Sequence, residues 1–398
     1  MIQTDIFISG GGVAGLTAAA AFGAAGFSVL IADPMPPITD EATDGADLRT
    51  TAFLQPARNF LIAAGLWERL APFATPLQIM RIVDAGGETP DPRITRDFDA
   101  ADIGDLPFGW NLSNWLLRRE MVARLDELPN VEFRTGVGFA SMLTRTNEAR
   151  VTLTDGTRIS AKLVIGADGR GSPVRHAAGI SAKTNRFGQK AVTFAVTHNA
   201  PHDNVSTEVH RTGGPFTLVP LPDHEGKPCS AVVWMEDGPE AKRLAALPED
   251  TFNEAATRRS AGVYGPLTLA SRRMVWPIIS QIADALSAER VALVAEAAHV
   301  VPPIGAQGLN MSLADMACLL DLAQASPDTL GSADMLKKYH RARHTDITLR
   351  VKGVDLLNRA SQAENPLLRD LRAKGVEALY GLAPLRKSLM KMGLGAKD

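Results

Sequence analysis

A chain of 398 residues suits two or three domains, each with a sizeable core. With 45% hydrophobic and 22% charged residues and a formal net charge of -2, it reads as an ordinary globular protein with no overall affinity for nucleic acid. Its 2 cysteines, Cys229 and Cys318, exclude a disulfide framework or a cysteine metal knuckle and point to a reducing cytosol.

Residues 6–32 carry no charge and are long enough to cross a bilayer. Glycines at 10, 11, 12, 15, 23 and 26, flanked by β-branched runs, predict something else. The pattern is a strand over Asp5–Ser9, an alanine-rich helix over Val13–Ala25 and a second strand over Ser28–Ala32. That is a βαβ unit, which implies a parallel sheet. Asp5 also stands where a signal peptide needs a basic segment. Farther on, Leu117, Met121, Val122 and Leu125 mark a helix over Leu116–Leu128. Residues 131–164 alternate as strands, with TDGT at 154–157 as a hairpin turn.

Between 181 and 278 helical patterning fades. Short strands at Lys190–Val196, Phe216–Leu221 and Ser230–Met235 predict a mostly antiparallel second domain. Val291–Val294 returns to the apolar strand type of the first. The expected organisation is therefore α/β: a Rossmann-like domain over 1–70, 101–180 and 279–331, interrupted by a β domain over 71–100 and 181–278. A helical region follows over 332–398, where 14 Lys and Arg face 7 Asp and Glu.

Three motifs carry chemistry. GGGVAG at 10–15 is G-x-G-x-x-G between a strand and a helix. Gly10 permits the tight turn, Gly12 lets a pyrophosphate reach the backbone, and Gly15 lets the helix pack on the sheet. Val13 and Ala14 open a helix whose N-terminal N–H groups favour phosphate. Asp33, at the end of the second strand, is placed to accept from a ribose. The competing reading is a glycine-rich packing turn. GADGRGSPVR at 166–175 delivers Asp168 and Gly169 from an apolar strand to a turn; alone, it equally suits a solvent-exposed Asp-Gly turn.

AEAAHVVPPIGAQGLNM at 295–311 is the third. Glu296 can meet sugar hydroxyls. Pro302, Pro303, Gly305 and Gly308 expose backbone around Gln307, and the helix starting there aims its positive end at the loop. So much backbone and so little charge suits a flat, partly anionic ligand. His299 reads as a structural histidine satisfied by backbone.

In order, these motifs resemble the FAD-dependent aromatic hydroxylases, the single-component flavoprotein monooxygenases, over essentially the whole chain. The resemblance implies that Gly10, Gly12, Val13, Ala14, Gly15 and Asp33 hold the adenosine diphosphate half of FAD. It assigns Asp168 and Gly169 to FAD and the nicotinamide donor, and Glu296, Gly308, Leu309 and Asn310 to the flavin and ribityl chain. Pro303, Gly305, Gln307 and Gly308 become the loop against the reacting ring. Within the family the chain is most similar to the ubiquinone-biosynthesis hydroxylases. DLRTTAF at 47–53 places Arg49 beside the flavin, and Asn114 and Arg118 match flavin-side positions. GPFTLVPLP at 214–222, SAVVW at 230–234 and LMKMGLG at 389–395 also match.

Departures are Ala295-Glu296 for Gly-Asp, Gly305-Ala306 for Ala-Gly, and Met311-Ser312 and Ala314 for Leu-Gly and Arg. An alanine at 295 implies a position that does not need positive φ. The implied activity is hydroxylation of a polyprenyl phenol in ubiquinone biosynthesis with NAD(P)H and O2, and no metal. The tyrosine relay of the hydroxybenzoate enzymes has no counterpart in Tyr264, Tyr339 and Tyr380, and no base for a phenol is evident. A small soluble aromatic substrate, an isoprenoid-type flavin reductase and a non-enzymatic flavin scaffold in a quinone-synthesis complex remain alternatives. The basic end, with Leu385, Leu389 and Met390 beside Arg386, Lys387 and Lys391, suits either a cytoplasmic protein that touches the inner membrane face or a helical cap packed on the FAD domain with a solvated basic face.

Overall fold

The computed structural model describes residues 1–86, 91–211, 213–362, 380 and 383–394. The uncharged stretch forms the strand Ile2–Ser9, the helix Val13–Ala24 and the strand Val29–Asp33. This helix is buried from Gly15 to Gly23, so its uniform apolarity reflects enclosure in a core. Among the described residues, no helix is long and apolar enough to cross a membrane.

Five strands lie side by side and parallel, in the order 291–293, 158–166, 2–9, 29–33 and 131–135. The hairpin expected at TDGT joins Ala149–Leu153 to Arg158–Gly166 in antiparallel register. The long apolar strand Arg158–Gly166 therefore has parallel partners on both sides and ends at the Asp168 turn. The helix Asn114–Asp126 begins two residues before its expected start, because Ser113 ends a strand and breaks the extended run there.

A second, mostly antiparallel sheet runs from His299–Val300 through 274–283, 182–197, 227–237, 215–224 and 205–210 to 79–84 and 94–99. The strand Met274–Ala283 passes through the expected boundary at 278/279, and His299–Val300 pairs with it. The segment carrying the third motif thus enters both sheets. Strand alternation sorts the second sheet into two faces. Val192, Phe194, Val209, Phe216, Val232 and Trp234 share a core with the helices Gly238–Ala245 and Glu249–Arg259. The intervening Ala191, Val233, Met235 and Ile278 face away from that core and meet Val301 and Ile304.

The basic C-terminal region is largely built in. Along the helix Ala333–Ser361, residues 335, 336, 339, 343, 347, 351, 354, 358 and 361 are buried, a stripe at helical spacing. Its first half packs on the parallel-sheet core and Val354 on the second sheet. In the helix Ala383–Leu394 the expected membrane-facing Met390 is corrected: it is buried against Ala100 and Phe108, because those side chains leave an apolar slot for it. The side chains of Leu385 and Leu389, and Gly395, lie outside the described residues.

Candidate functional site

The three motifs meet at the C-terminal ends of three adjacent parallel strands, where open α/β sheets place ligands. Gly10 has φ +108°, and a Cβ there would lie 2.5 Å from the Ala167 carbonyl oxygen. A Cβ on Gly15 would lie 1.8 Å from the Gly10 oxygen. Both glycines are demanded by packing. Gly12 is different: a Cβ there meets nothing within 4 Å. It opens, with the half-exposed Val13 and Ala14, onto a helix N-terminus that no side chain caps. Free backbone N–H groups at such an end suit an anion. Asp33 already accepts from the Gly11 N–H at 2.5 Å and the Met35 N–H at 2.8 Å. Each carboxylate oxygen keeps a lone pair for a further donor.

The Asp168 turn is drawn inward. Asp168 accepts from the Ser9 and Ser172 hydroxyls and from the Val174 N–H. Burial pushes its carboxyl above the usual range, although these hydrogen bonds oppose the shift. Arg175 ties this turn to the third motif, donating at 2.9 Å to the Ala297 carbonyl and at 2.8 Å to that of Arg170. The reading of a solvent-exposed Asp-Gly turn fails for Asp168, whose oxygens already serve the fold; Gly169, at φ +81°, makes the bend.

Arg49, Asn114 and Arg118 are brought together by Asp47, a residue that sequence reasoning passed over. Arg49 donates to it twice, at 2.8 and 2.7 Å, Asn114 donates at 3.0 Å, and Arg118 stands 3.8 Å away. Burial pulls the Arg49 guanidinium down, but the Asp47 pair outweighs it and the net shift is upward. The guanidinium also lies 4.0 Å from the centre of the Trp276 ring in the second sheet, a contact between distant segments that no local signal announces. The side-chain amide of Asn114 is engaged within the fold at both ends, since its oxygen also accepts from the Thr51 hydroxyl. Asn310 likewise pins two segments: it accepts from the Leu54 N–H and donates to the Ala52 carbonyl.

Glu296 is exposed at the end of the strand Val291–Leu293. The loop after it is two-sided: Pro302 and Ile304 are buried, while Pro303, Gly305, Ala306 and Gly308 are exposed, with Leu309 half-buried behind them. One expectation is corrected here. Ala295 has φ +55°, so the alanine did not release this position from the left-handed region; the turn out of the strand still imposes it. Ala306, at the start of the helix Gln307–Ala325, also has φ +55°. An L residue in this region costs about 1–2 kcal/mol. Ala295→Gly and Ala306→Gly should each raise stability by about 0.5–1 kcal/mol, after allowing for the freedom glycine adds to the unfolded chain. Urea midpoints that stay put or fall would show that the strain is absent.

His299 is not satisfied by backbone. Its Nε2 lies 2.6 Å from Asp315 Oδ2, and its buried Nδ1 has no partner among the described residues. A side-chain acceptor reaches it because Asp315 lies on the inner face of the following helix. Asp315 also takes Arg343 Nε at 2.7 Å. Arg343 and Arg350 share Asp346, and Arg350 Nη1 reaches Gln307 Oε1 at 3.0 Å. A chain of charges thus starts at His299, crosses the helix Ala333–Ser361 and returns to Gln307, holding both ends of the loop. The His299–Asp315 spacing is visible in the sequence; the reach of Arg343 to Asp315 and of Arg350 to Gln307 is not, since 28 and 43 residues separate them. No group of three metal-ligating side chains occurs among the described residues.

Comparison with known proteins gives this geometry a context. The family described as FAD binding domain matches residues 3–352. The ubiquinone hydroxylase UbiL of Rhodospirillum rubrum is 31% identical over 394 residues, covering 98% of this chain and 89% of that protein. The 3-demethoxyubiquinol 3-hydroxylase of Escherichia coli is 27% identical over 402 residues, 98% of each chain. Among solved structures, the p-nitrophenol 4-monooxygenase PnpA of Pseudomonas putida aligns over 100% of both chains with a TM-score of 0.81 at 19% identity, a likeness of fold.

Proposed function

The chain belongs to the FAD binding domain family, as a flavin-dependent aromatic hydroxylase, and from that premise we propose that it hydroxylates the ring of a polyprenyl phenol in ubiquinone biosynthesis, using NAD(P)H and O2. The observation that carries the substrate class is the likeness, over 98% of this chain in each case, to the ubiquinone hydroxylase UbiL of Rhodospirillum rubrum and the 3-demethoxyubiquinol 3-hydroxylase of Escherichia coli.

Bound FAD supplies the redox chemistry, taking electrons from NAD(P)H and delivering them to O2. The protein's part is positioning, shielding and charge. The open backbone at Gly12 and the uncapped helix end suit the pyrophosphate. Asp33 would accept from the ribose with its remaining lone pairs. Arg49, held by Asp47, would serve the flavin side. The exposed backbone of Pro303, Gly305, Gln307 and Gly308 would hold the ring system, and the helix start there would stabilise electron-rich atoms. Ile304 and Val301 exclude water behind it. Glu296 takes the ribityl hydroxyls. Its replacement by alanine should lower flavin affinity by about 1–3 kcal/mol, the penalty for unpaired polar groups, and Glu296→Asp should keep it. Titration of apoprotein with FAD reads both; equal affinity for wild type and the alanine variant removes Glu296 from the site.

The direct test is turnover of a 2-polyprenylphenol by purified protein under labelled O2, read by mass spectrometry. The expected product carries one labelled oxygen on the ring. Reduction of the polyprenyl chain with no oxygen added would mark a reductase instead, and turnover of hydroxybenzoate alone would mark a hydroxylase of small soluble aromatics.

A further inference from the structure

The helix Ala333–Ser361 has a second apolar stripe, on the side away from its buried one. Leu349, Leu356 and Leu357 are 66%, 70% and 58% exposed. At 3.6 residues per turn, Leu349 and Leu356 align two turns apart. The exposed Gly353 and Ala360 continue that line, and Leu357 stands at one edge. Ile347, Val351, Val354 and Asn358 are buried on the opposite side. One apolar stripe is enough to seat a helix on its core, so the outer leucines serve no packing within the fold. Elsewhere among the described residues, exposed large hydrophobics fall one to an element. Single exposed leucines are ordinary; a cluster marks a contact surface.

Cations border the stripe. Lys338 and Arg341 precede it, and Lys352 and Arg359 flank it opposite Leu357. All four are exposed and in no ion pair among the described residues. The helix holds 7 Lys and Arg against 3 Asp, and the acids do not offset these cations. Asp346 is taken by Arg343 and Arg350, Asp355 accepts from Ser280 at 2.9 Å, and Asp334 lies in the first turn, far from Leu349. The inner side of the same segment meets the loop of the third motif. Val354 shares a cluster with Val301 and Ile304, and Arg350 donates to Gln307. One helix diameter, about 10 Å, therefore separates the leucines from that loop.

We infer that Leu349, Leu356 and Leu357 dock the protein on an anionic phospholipid surface, with this helix lying in the plane of the interface. Such a surface matches both features at once. The acyl boundary takes the leucines, and the headgroups take Lys338, Arg341, Lys352 and Arg359. A protein partner matches less well. Three leucines on one helix fall short of the about 800 Å² per partner that a stable protein interface buries. Met390, in the basic segment at the end of the chain, is buried and cannot make the contact. The docking rests on the polyprenyl-phenol reading for its purpose alone: it sets the loop beside the layer that dissolves the tail.

Holoprotein is sedimented with vesicles of phosphatidylcholine mixed with phosphatidylglycerol, and with vesicles of phosphatidylcholine alone. Wild type should pellet with the mixed vesicles at low salt, less at high salt, and weakly with the neutral ones. The triple variant Leu349→Gln, Leu356→Gln, Leu357→Gln should bind the mixed vesicles about 10-fold or more weakly, since its apolar face is gone. Lys352→Gln with Arg359→Gln should also lose about 10-fold or more, each cation near an anionic surface being worth about fivefold. Glutamine keeps the helix, and melting curves should match wild type. If the leucine variant does not fold, the cation variant carries the test. Wild type left in the supernatant overturns the docking, as do variants that partition like wild type. A wild-type dimer that the leucine variant dissolves overturns it too, because a second copy then covers the face. No substrate enters this assay, so vesicle binding without ring hydroxylation refutes the hydroxylase reading and leaves the docking standing.

Discussion

A Gly12→Val variant should fold like the wild type and purify without flavin. The first half follows from space and backbone. A Cβ at Gly12 meets no protein atom within 4 Å, and φ -72°, ψ 175° is extended backbone that valine favours. The second half follows from what that space is for. A branched side chain on the helix N-terminus holds a phosphate away from the N–H groups. Charge-assisted hydrogen bonds are worth about 1.5–3 kcal/mol each. Losing two of them lowers affinity by roughly 10²–10⁴-fold. Gly15→Ala is the contrasting variant, since its Cβ would sit 1.8 Å from the Gly10 oxygen and the fold itself must give. The flavin-to-protein absorbance ratio and a melting curve measure both. A valine variant with full flavin occupancy would place the pyrophosphate elsewhere.

Gly12 also shows what a sequence of this kind discloses. Motifs built from neighbouring residues were legible: the fingerprint turn, the Asp168 turn and the loop before Gln307 each owe their form to glycine and proline, whose backbone limits are local. The alternation of the second sheet was legible for the same reason. Partnerships across the fold were not. Asp47 could be seen near Arg49, but not that it gathers Asn114 and Arg118 as well. Trp276 under Arg49 depends on strand register, which long-range pairing decides. Ala295 is the opposite case: residue type suggested an ordinary φ, and the turn between strand and loop overrode it.

The largest stability effect should come from Asp315→Ala. Asp315 is 0% exposed and faces two partners, His299 at 2.6 Å and Arg343 at 2.7 Å. Removing it leaves a buried guanidinium and a buried imidazole without their shared acceptor. Breaking a buried pair from one side costs about 3–5 kcal/mol, because the surviving charge stays desolvated. Arg350→Ala, farther along the same chain of charges, should cost only about 0–1 kcal/mol, since Arg350 and Asp346 are part-exposed and water replaces the contact. The double variant Asp315→Leu with Arg343→Met removes both charges and should recover much of the loss. Urea unfolding of flavin-free protein separates this from ligand stabilisation. The same network fixes both ends of the loop from His299 to Gln307, so flavin affinity should fall in Asp315→Ala and in Arg350→Ala, although only the first loses stability. If Asp315→Ala unfolds within about 1 kcal/mol of wild type, the buried charges have relaxed to water, and the loop is held by packing of Pro302 and Ile304 alone.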